Sequence, residues 1–561
     1  MRAATGAGDG RHEVVLRGGR VVDGCGNPWY RADVAVSDGR VAAVAPPGTL
    51  DGRRSLELGD RYVTPGFVDP HTHSDLSLLL HRDAESAVRQ GVTTHVTGNC
   101  GMSPAPLRDE HRADARRLWE HYGWDDPRFR WDWESFGDYL GELEAGGLGI
   151  NVAPLVGHSA LRVAAIGVEP RAPSAAELRD MCLLAEEAMR NGALGLSSGL
   201  VYSPGCYAET AELIALCSVV AHYGGIYATH VRGERETIVA AVTEALEIGR
   251  RAGLPVEVSH NAPKWGAPAE ASATLGLVEQ ARAGGLDATL DNDVHTGLAL
   301  RLSRALPQPL LDAAAGGLAR RLCDPEERRR VRRMVEEDRL PGAGYTGLLR
   351  HGAFDRVVVL WAPDRPELSG RSVAELAAER GVDGFTQYFD LIVETDDAVV
   401  GIFEYIDLDD IRAILRHPAA MCCSDGLVVA PPEEGYVPGT YWPCSYGEYP
   451  GILERFVLGE SLLTFEDAIR RMTSFPAQRF GLLDRGVLRP GMRADITVVD
   501  LDRVRDLATD PPPHRAPFDH IPPRFPEGID TVLVNGRLVL EEGALTGELP
   551  GLVLRRGGAR R

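Results

Sequence analysis

Apolar positions along the chain change their period twice. Over residues 1–62 they fall in short runs, Val14–Leu16, Arg20–Val22, Asp33–Val36 and Val41–Val44, rich in Val and divided by Gly, Asp and Pro. Such runs predict short strands joined by turns. Residues 481–561 have the same grain, with Ala494–Val499, Thr531–Val534, the turn pair Asn535-Gly536, and Arg537–Leu540. Neither segment is long enough to build a sheet core alone. Together they predict one small β-sandwich assembled from both chain ends.

Over residues 63–480, short apolar runs alternate with stretches of helical period, as βα units with buried parallel strands do. Strands are predicted to end near His71, Gly98, His158, Ser197, His230, His260, Asp291 and Asp425. These are eight, the number that closes a (β/α)8 barrel of the TIM type. Helical period is clear over Ala175–Arg190 and Glu234–Arg251, and the charged run Glu326–Asp338 reads as a solvated helix in an insertion near 296–345. The expected fold class is therefore α/β, a TIM-type barrel with a small β-sandwich domain from both termini.

Composition narrows the function classes. A chain of 561 residues favours a large domain with a satellite. A formal charge of −21 argues against nucleic acid or an anionic membrane as partner. No apolar run approaches the ~20 residues that span a bilayer, and Met1–Arg20 lacks the apolar core of a signal peptide. Nine irregularly spaced cysteines suit reduced thiols in a cytoplasm. The expected partner is a small-molecule substrate, with the oligomeric state open between monomer and homodimer. All but one of the 60 basic residues are Arg, and Lys264 is the exception. A surviving lysine is either chance or a place where a compact ammonium is needed.

A barrel enzyme sets its site at the C-terminal ends of the strands. His71 and His73 are two apart on a strand end, so both rings face one side. Taken alone, such a pair is more often surface or core histidine. His230 and His260 end the fifth and sixth strands, however, and Asp425 ends the eighth. Imidazole and carboxylate suit zinc, which acidifies a water and polarises a carbonyl. Asp425 is placed to take the water's proton and pass it to a leaving nitrogen. Histidine at the end of strand three, His158, reads as a satisfied structural residue.

Several motifs together carry a family resemblance. They are TPGFVDPHTHSD (Thr64–Asp75), GVTTHVTGNCGMSPAP (Gly91–Pro106), GHSALR (Gly157–Arg162) and GALGLSSGLVYSPG (Gly192–Gly205). ATHVRGE (Ala228–Glu234), VSHNAP (Val258–Pro263), CSDG (Cys423–Gly426), Met472–Asp500 and Val532–Val539 continue them. Over most of its length the chain resembles the amidohydrolase superfamily, in its N-acyl-D-amino-acid deacylase (D-aminoacylase) branch. The resemblance implies zinc-dependent hydrolysis of an amide C–N bond. It implies a principal zinc on Cys100, His230 and His260, and a weaker or empty second site on His71, His73, Cys100 and Asp425. It also points Tyr202 at the substrate and gives Arg232 and Glu234 an orienting role. Lys264 follows the sixth strand, so it is not the bridging lysine that related enzymes carry on the fourth.

The chain departs from that branch on the substrate side. In the stretch Trp442–Gly447, Cys444 stands where the branch has a carboxylate-binding Arg, and Ala262 stands where it has a Lys. Strand seven ends Asp291-Asn292-Asp293-Val294-His295, which makes the pocket more polar. Leaving an anion unpaired costs roughly 3–5 kcal/mol. Either Lys264 contacts the substrate from a shifted position, or the substrate lacks a D-amino-acid carboxylate and is another amide, lactam, carbamate or N-formyl compound. The substrate-side residues expected are thus Tyr202, Lys264, Arg232, Asp293 and Cys444. The alternatives are a cyclic-amide hydrolase like dihydroorotase or hydantoinase, disfavoured without the strand-four lysine, and a catalytically dead scaffold, disfavoured by the intact ligand set.

Overall fold

A computed structural model describes residues 11–121, 128–267, 270–307, 310, 317–337, 345–362, 365–429, 443–508 and 524–556. Trp442, Asp338 and the first ten residues, all used in the sequence argument, lie outside the described residues.

Strands from both chain ends share one nine-stranded sheet. His12–Val21 pairs antiparallel with Tyr30–Ser37 and parallel with Gly52–Glu57 and Tyr62–Pro65. Tyr62–Pro65 then pairs antiparallel with Ile496–Val499, which leads on to Ile529–Val534 and Arg537–Glu541. Alternate residues Val14, Leu16, Val34, Val36, Ile496 and Val498 fill its core. The two runs expected as separate strands, Val14–Leu16 and Arg20–Val22, belong to a single strand that shifts register between Leu16 and Gly19. Gly18 sits there at φ +66°, so the Gly pair makes a bulge where the sequence suggested a turn.

The central segment holds parallel strands buried along their whole length. Phe67–Asp69, Val92–Thr97 and Asn151–Pro154 are paired in that order. Val156–Gly157, Gly195–Gly199, Ile226–His230, Val256–Val258, Ala288–Asn292 and Ala420–Cys422 form a second parallel series. Only Leu155 separates Pro154 from Val156. At the other edge a parallel bridge joins Thr72 to Gly426. There the Asp425 amide donates to the His71 carbonyl at 3.1 Å, and the His73 amide donates to the Gly426 carbonyl at 2.8 Å. The first and eighth predicted strands are thereby neighbours, and their ends meet at the candidate ligands.

Helices follow the parallel strands. Ala175–Arg190 forms as expected, started by a capping box between Ser174 and Glu177. The helix expected from Glu234 starts instead at Ile238. Glu234 and Arg235 are turned inward and buried, so the chain stays a loop until those side chains are placed. Between Asn292 and Ala420 lies an antiparallel sheet that the sequence reading missed, ordered Gly297–Arg301, Val400–Glu404, Val357–Trp361. The charged run there is a helix, Pro325–Glu337, burying Val331 and Val335. Among the described residues, no helix is long and apolar enough to cross a membrane.

Candidate metal centre and active site

The ligand-type residues converge at the C-terminal ends of the parallel strands. His71, Cys100, His230 and His260 are buried, with 0%, 4%, 4% and 6% exposure. They form two overlapping groups, His71–His73–Cys100 and Cys100–His230–His260, whose donor atoms lie within 4.8 Å of one another. Cys100 Sγ is 3.3 Å from His71 Nε2, 3.7 Å from His230 Nδ1 and 3.5 Å from His260 Nε2. Asp425 Oδ1 closes the group at 3.4 Å from His71 Nε2 and 3.1 Å from His73 Nε2.

These distances fit a metal. A neutral thiol has one weak donor and a weakly accepting sulfur, a poor match for three imidazoles at once. With Zn–S near 2.3 Å and Zn–N near 2.0–2.1 Å, a tetrahedral zinc has S···N edges of about 3.6 Å. The Cys100 distances to His230 and His260 bracket that value. Burial alone would raise the Cys100 thiol, but the surrounding His71, His230 and His260 hold it well below its ordinary value. A thiolate among imidazoles is the donor set that zinc takes.

Backbone conformation places three of these residues. Cys100, His260 and Asp425 all have positive φ, at +50°, +32° and +50°. Such strain in non-glycine residues costs of order 1–3 kcal/mol each. At Cys100 the GNCG motif builds the turn: Gly98 at φ +78° passes so close to the Leu155 carbonyl that an added Cβ would lie 2.0 Å from it. Asn99 Nδ2 donates to the Val96 carbonyl at 3.0 Å, and the Gly101 amide donates to Ser197 Oγ at 2.9 Å. At His260, Asp291 Oδ1 accepts the backbone N–H at 2.7 Å and lies 3.7 Å from His71 Nδ1. One carboxylate thus faces two candidate ligands. Asp69 Oδ1 likewise accepts the amides of His71 at 3.3 Å and Ser424 at 3.1 Å, and burial pushes its carboxyl up to about 7. Asp69 and Asp291 escaped the sequence reading as orienting groups. The signal was there, since each is a buried acid at or next to the C-terminal end of a parallel strand.

A carboxylate lies behind the His230 ring. His230 Nε2 faces Glu234 Oε1 at 3.3 Å, which leaves Nδ1 for Cys100's side of the cluster. Burial lowers the His230 pKa, but Glu234 and Cys100 outweigh it and raise it to about 9. For Asp425, burial raises the carboxyl, while the His73 hydrogen bond and the charges of His71, His260 and His73 hold it below its ordinary value. Asp425 keeps more exposure than its neighbours, with 26% of its side chain open.

The substrate-side residues are spread unequally. The Tyr202 ring meets His230 edge-on at 4.8 Å. Asp293 is buried at 8% exposure and pushed up to about 7, first by burial and then by Glu448 and Asp425. Cys444 is buried at the start of the helix Cys444–Gly451, its thiol raised by burial and by Glu448, Asp293 and Asp425. His295 Nδ1 lies 2.5 Å from Glu448 Oε2, a contact the sequence does not suggest. Arg232 turns to Glu244, at 2.8 and 3.0 Å, and to the Cys206 carbonyl at 3.3 Å. It is not brought to the metal cluster. Lys264 is buried at 5% exposure, with Nζ 3.3 Å from Glu234 Oε1 and 4.8 Å above the Tyr405 ring. His158 is held by Glu212 at 2.8 Å, apart from the cluster.

Comparison with known proteins gives this arrangement its family. The Amidohydrolase family model matches residues 56–323 and 350–540. D-aminoacylase from Alcaligenes xylosoxydans xylosoxydans is 36% identical over 98% of both chains. N-acyl-D-glutamate deacylase from the same organism is 35% identical over 97% of this chain and 96% of its own. Among solved structures, N-acyl-D-glutamate deacylase from Bordetella bronchiseptica, complexed with zinc and a phosphonate inhibitor, superposes with a TM-score of 0.75. It shares 32% identity over 97% of this chain and 100% of its own. L-hydantoinase from Arthrobacter aurescens, at 18% identity and a TM-score of 0.54, shares the fold alone. With a mixed α/β fold, a largely buried His–Cys cluster at its strand ends and a family match over most of its length, the chain belongs to the amidohydrolase family of hydrolytic enzymes.

Proposed function

We propose that this amidohydrolase is a zinc-dependent deacylase that cleaves the amide bond of an N-acyl-D-amino acid or a closely related N-acyl compound. The observation that carries the reading is Cys100 Sγ ringed by His230 and His260 at zinc-like spacing, with Asp425 against His71 and His73. The acyl-D-amino-acid relatives at 36% and 35% identity support the substrate class. In this reading the parallel strands close as an eight-stranded barrel, with the two-ended sheet as its β-sandwich satellite. All nine cysteines are unpaired, which supports a cytoplasmic setting.

Cys100, His230 and His260 would hold the principal zinc, and His71 and His73 with Cys100 and Asp425 a weaker second one. Zinc supplies Lewis acidity at the carbonyl and a water acidic enough to attack near neutral pH. Asp425 accepts the proton that the attacking water gives up. It returns that proton to the amide nitrogen as the C–N bond breaks, so the products are a carboxylic acid and an amine, and the acid then gives its proton to the amine or solvent. Tyr202, beside His230, and Asp293 and Cys444, beside Asp425, form the wall on the substrate side.

One observation favours a second reading. Asp293 and Cys444 both feel the negative charges of Glu448 and Asp425, and the one lysine is paired with Glu234, so among the described residues these groups offer a substrate carboxylate no lysine. A lactam, carbamate or hydantoin-like ring would fit that wall. Amine release from N-acetyl and N-formyl D- and L-amino acids decides between the two. The deacylase reading expects D-selective turnover that falls by ~10²–10⁴-fold in Asp425→Asn. Turnover of cyclic amides with none of the open-chain compounds would overturn it.

A further inference from the structure

Lys264 is the single lysine of the chain, and it is almost fully buried. Its position is held twice over. The Lys264 amide donates to the Glu234 carbonyl at 2.8 Å, and its backbone bridges to Ile406. Its ammonium lies 3.3 Å from Glu234 Oε1 and 4.8 Å from the Tyr405 ring centroid. The same Glu234 oxygen lies 3.3 Å from His230 Nε2. The polar chain therefore runs Lys264 Nζ, Glu234 Oε1, His230 Nε2, then across the ring from Nδ1 to Cys100 Sγ.

We infer that Lys264 is a positioning residue for the metal site, acting through Glu234 on His230, and does not contact the substrate. This rests on the metal reading above and extends it. A buried carboxylate needs a partner for its charge, and an ammonium at one oxygen supplies it. Glu234 so fixed sets its charge 3.3 Å behind His230 Nε2 and leaves Nδ1 on the side of Cys100, the place that carboxylates behind metal-bound histidines take. The slot between a carboxylate oxygen and a ring face suits a compact ammonium. A planar guanidinium, with five donors in a fixed fork, would leave donors buried there. That accounts for a lysine kept in a chain whose other long cations are all Arg.

The test is zinc affinity of the full-length protein, measured by competition with a chromophoric chelator, for wild type, Lys264→Met, Lys264→Arg, Glu234→Gln and the Lys264→Met/Glu234→Gln pair. Circular dichroism confirms that each is folded, and KM and kcat are read in parallel. Removal of an orienting partner typically weakens metal binding ~10–100-fold. Lys264→Met and Glu234→Gln should each show that loss, and the pair should lose far less than the product of the two. Lys264→Arg should recover part of the affinity, and KM at saturating zinc should stay near wild type. Unchanged zinc affinity in Lys264→Met, with a KM raised tenfold or more, would overturn the inference and make Lys264 a substrate contact. So would an Arg variant no better than Met. A wild type that holds zinc but cleaves no N-acyl amino acid would sink the proposed substrate and leave this inference standing. A wild type that holds no zinc would overturn both.

Discussion

Among the described residues two buried trios can be compared, each a histidine, a glutamate and a cation, and one of them touches the candidate metal ligands. In the first, His158 Nε2 is 2.8 Å from Glu212, and Arg162 grips both Glu212 oxygens at 2.9 and 2.7 Å. In the second, His230 Nε2 and Lys264 Nζ share Glu234 Oε1 at 3.3 Å each. The far ring nitrogen separates them. His158 Nδ1 is buried with no hydrogen-bond partner, whereas His230 Nδ1 faces Cys100 Sγ. Burial dominates at His158 and lowers its pKa, while Glu234 and the thiol raise that of His230 to about 9. A histidine–carboxylate pair is therefore not a functional signature by itself; what lies on the other side of the ring decides.

The comparison breaks most sharply at the histidines. His230→Ala should empty the proposed principal metal site. Lewis acidity is worth several kcal/mol of transition-state stabilisation, so turnover should fall by about 10³-fold or more. His158→Ala should lose stability and keep its zinc. Metal analysis and turnover of the two variants, measured side by side, check this; loss of zinc in His158→Ala would erase the distinction.

Stability should show the reverse order. Arg162→Met strands Glu212 in a buried site, at a cost of about 3–5 kcal/mol in denaturant unfolding, with zinc affinity unchanged. The Arg162 side chain is fully buried and also donates to the Arg171 carbonyl at 2.7 Å, so the loss reaches the loop before the helix Ala175–Arg190. A loss below about 1 kcal/mol would mean that Glu212 takes up a proton or a water at little cost.

Acid should weaken the His158 trio. Its folded pKa lies below the ordinary 6.5, so the unfolded chain takes up the proton first as pH falls. The stability attached to His158 is complete above 6.5 and is lost as pH drops from there toward the folded value. Within that window the slope is up to ~1.4 kcal/mol per pH unit. Glu212, held below its ordinary 4.5 by His158 and Arg162 against burial, extends the loss to lower pH. Melting of the wild type should fall between pH 7 and 5, and His158→Gln should flatten that slope by up to one proton. Parallel slopes would assign the acid sensitivity elsewhere, to buried neutral histidines such as His95.

The two trios also divide what a sequence can and cannot display. Strand ends were legible because polar residues interrupt apolar runs there, and His71, His230, His260 and Asp425 stand out for that reason. Cys100 was legible only through its GNCG setting. The positive φ of Cys100, His260 and Asp425 was not, because nothing in a non-glycine side chain announces a left-handed backbone. Periodicity read Glu234 as the first turn of a helix while the family resemblance gave it an orienting role; its ion pair with a lysine 30 positions on is what no local period records. The Arg17-Gly18-Gly19 break read as a turn although the strand continues through it as a bulge. The three-stranded sheet between Asn292 and Ala420 was hidden for a related reason, since its strands are separated by long stretches and pair only in space.

The smallest expected effect isolates the cation slot itself. Tyr405→Leu keeps an apolar side chain beside Lys264 and removes the ring face 4.8 Å from its ammonium. A desolvated cation–π contact is worth up to ~2 kcal/mol. Only part of that reaches the metal, because Glu234 still holds the ammonium. About 1 kcal/mol, or roughly fivefold in zinc affinity, is therefore the expected loss. The companion change at the other trio has no ring to remove, since Arg162 is fixed by Glu212 and the Arg171 carbonyl. If Tyr405→Leu weakens zinc binding and this loss vanishes in a Lys264→Met background, the ring acts through the lysine. If the loss persists there, Tyr405 reaches the metal site by another route, and the ammonium's place over the ring is incidental packing.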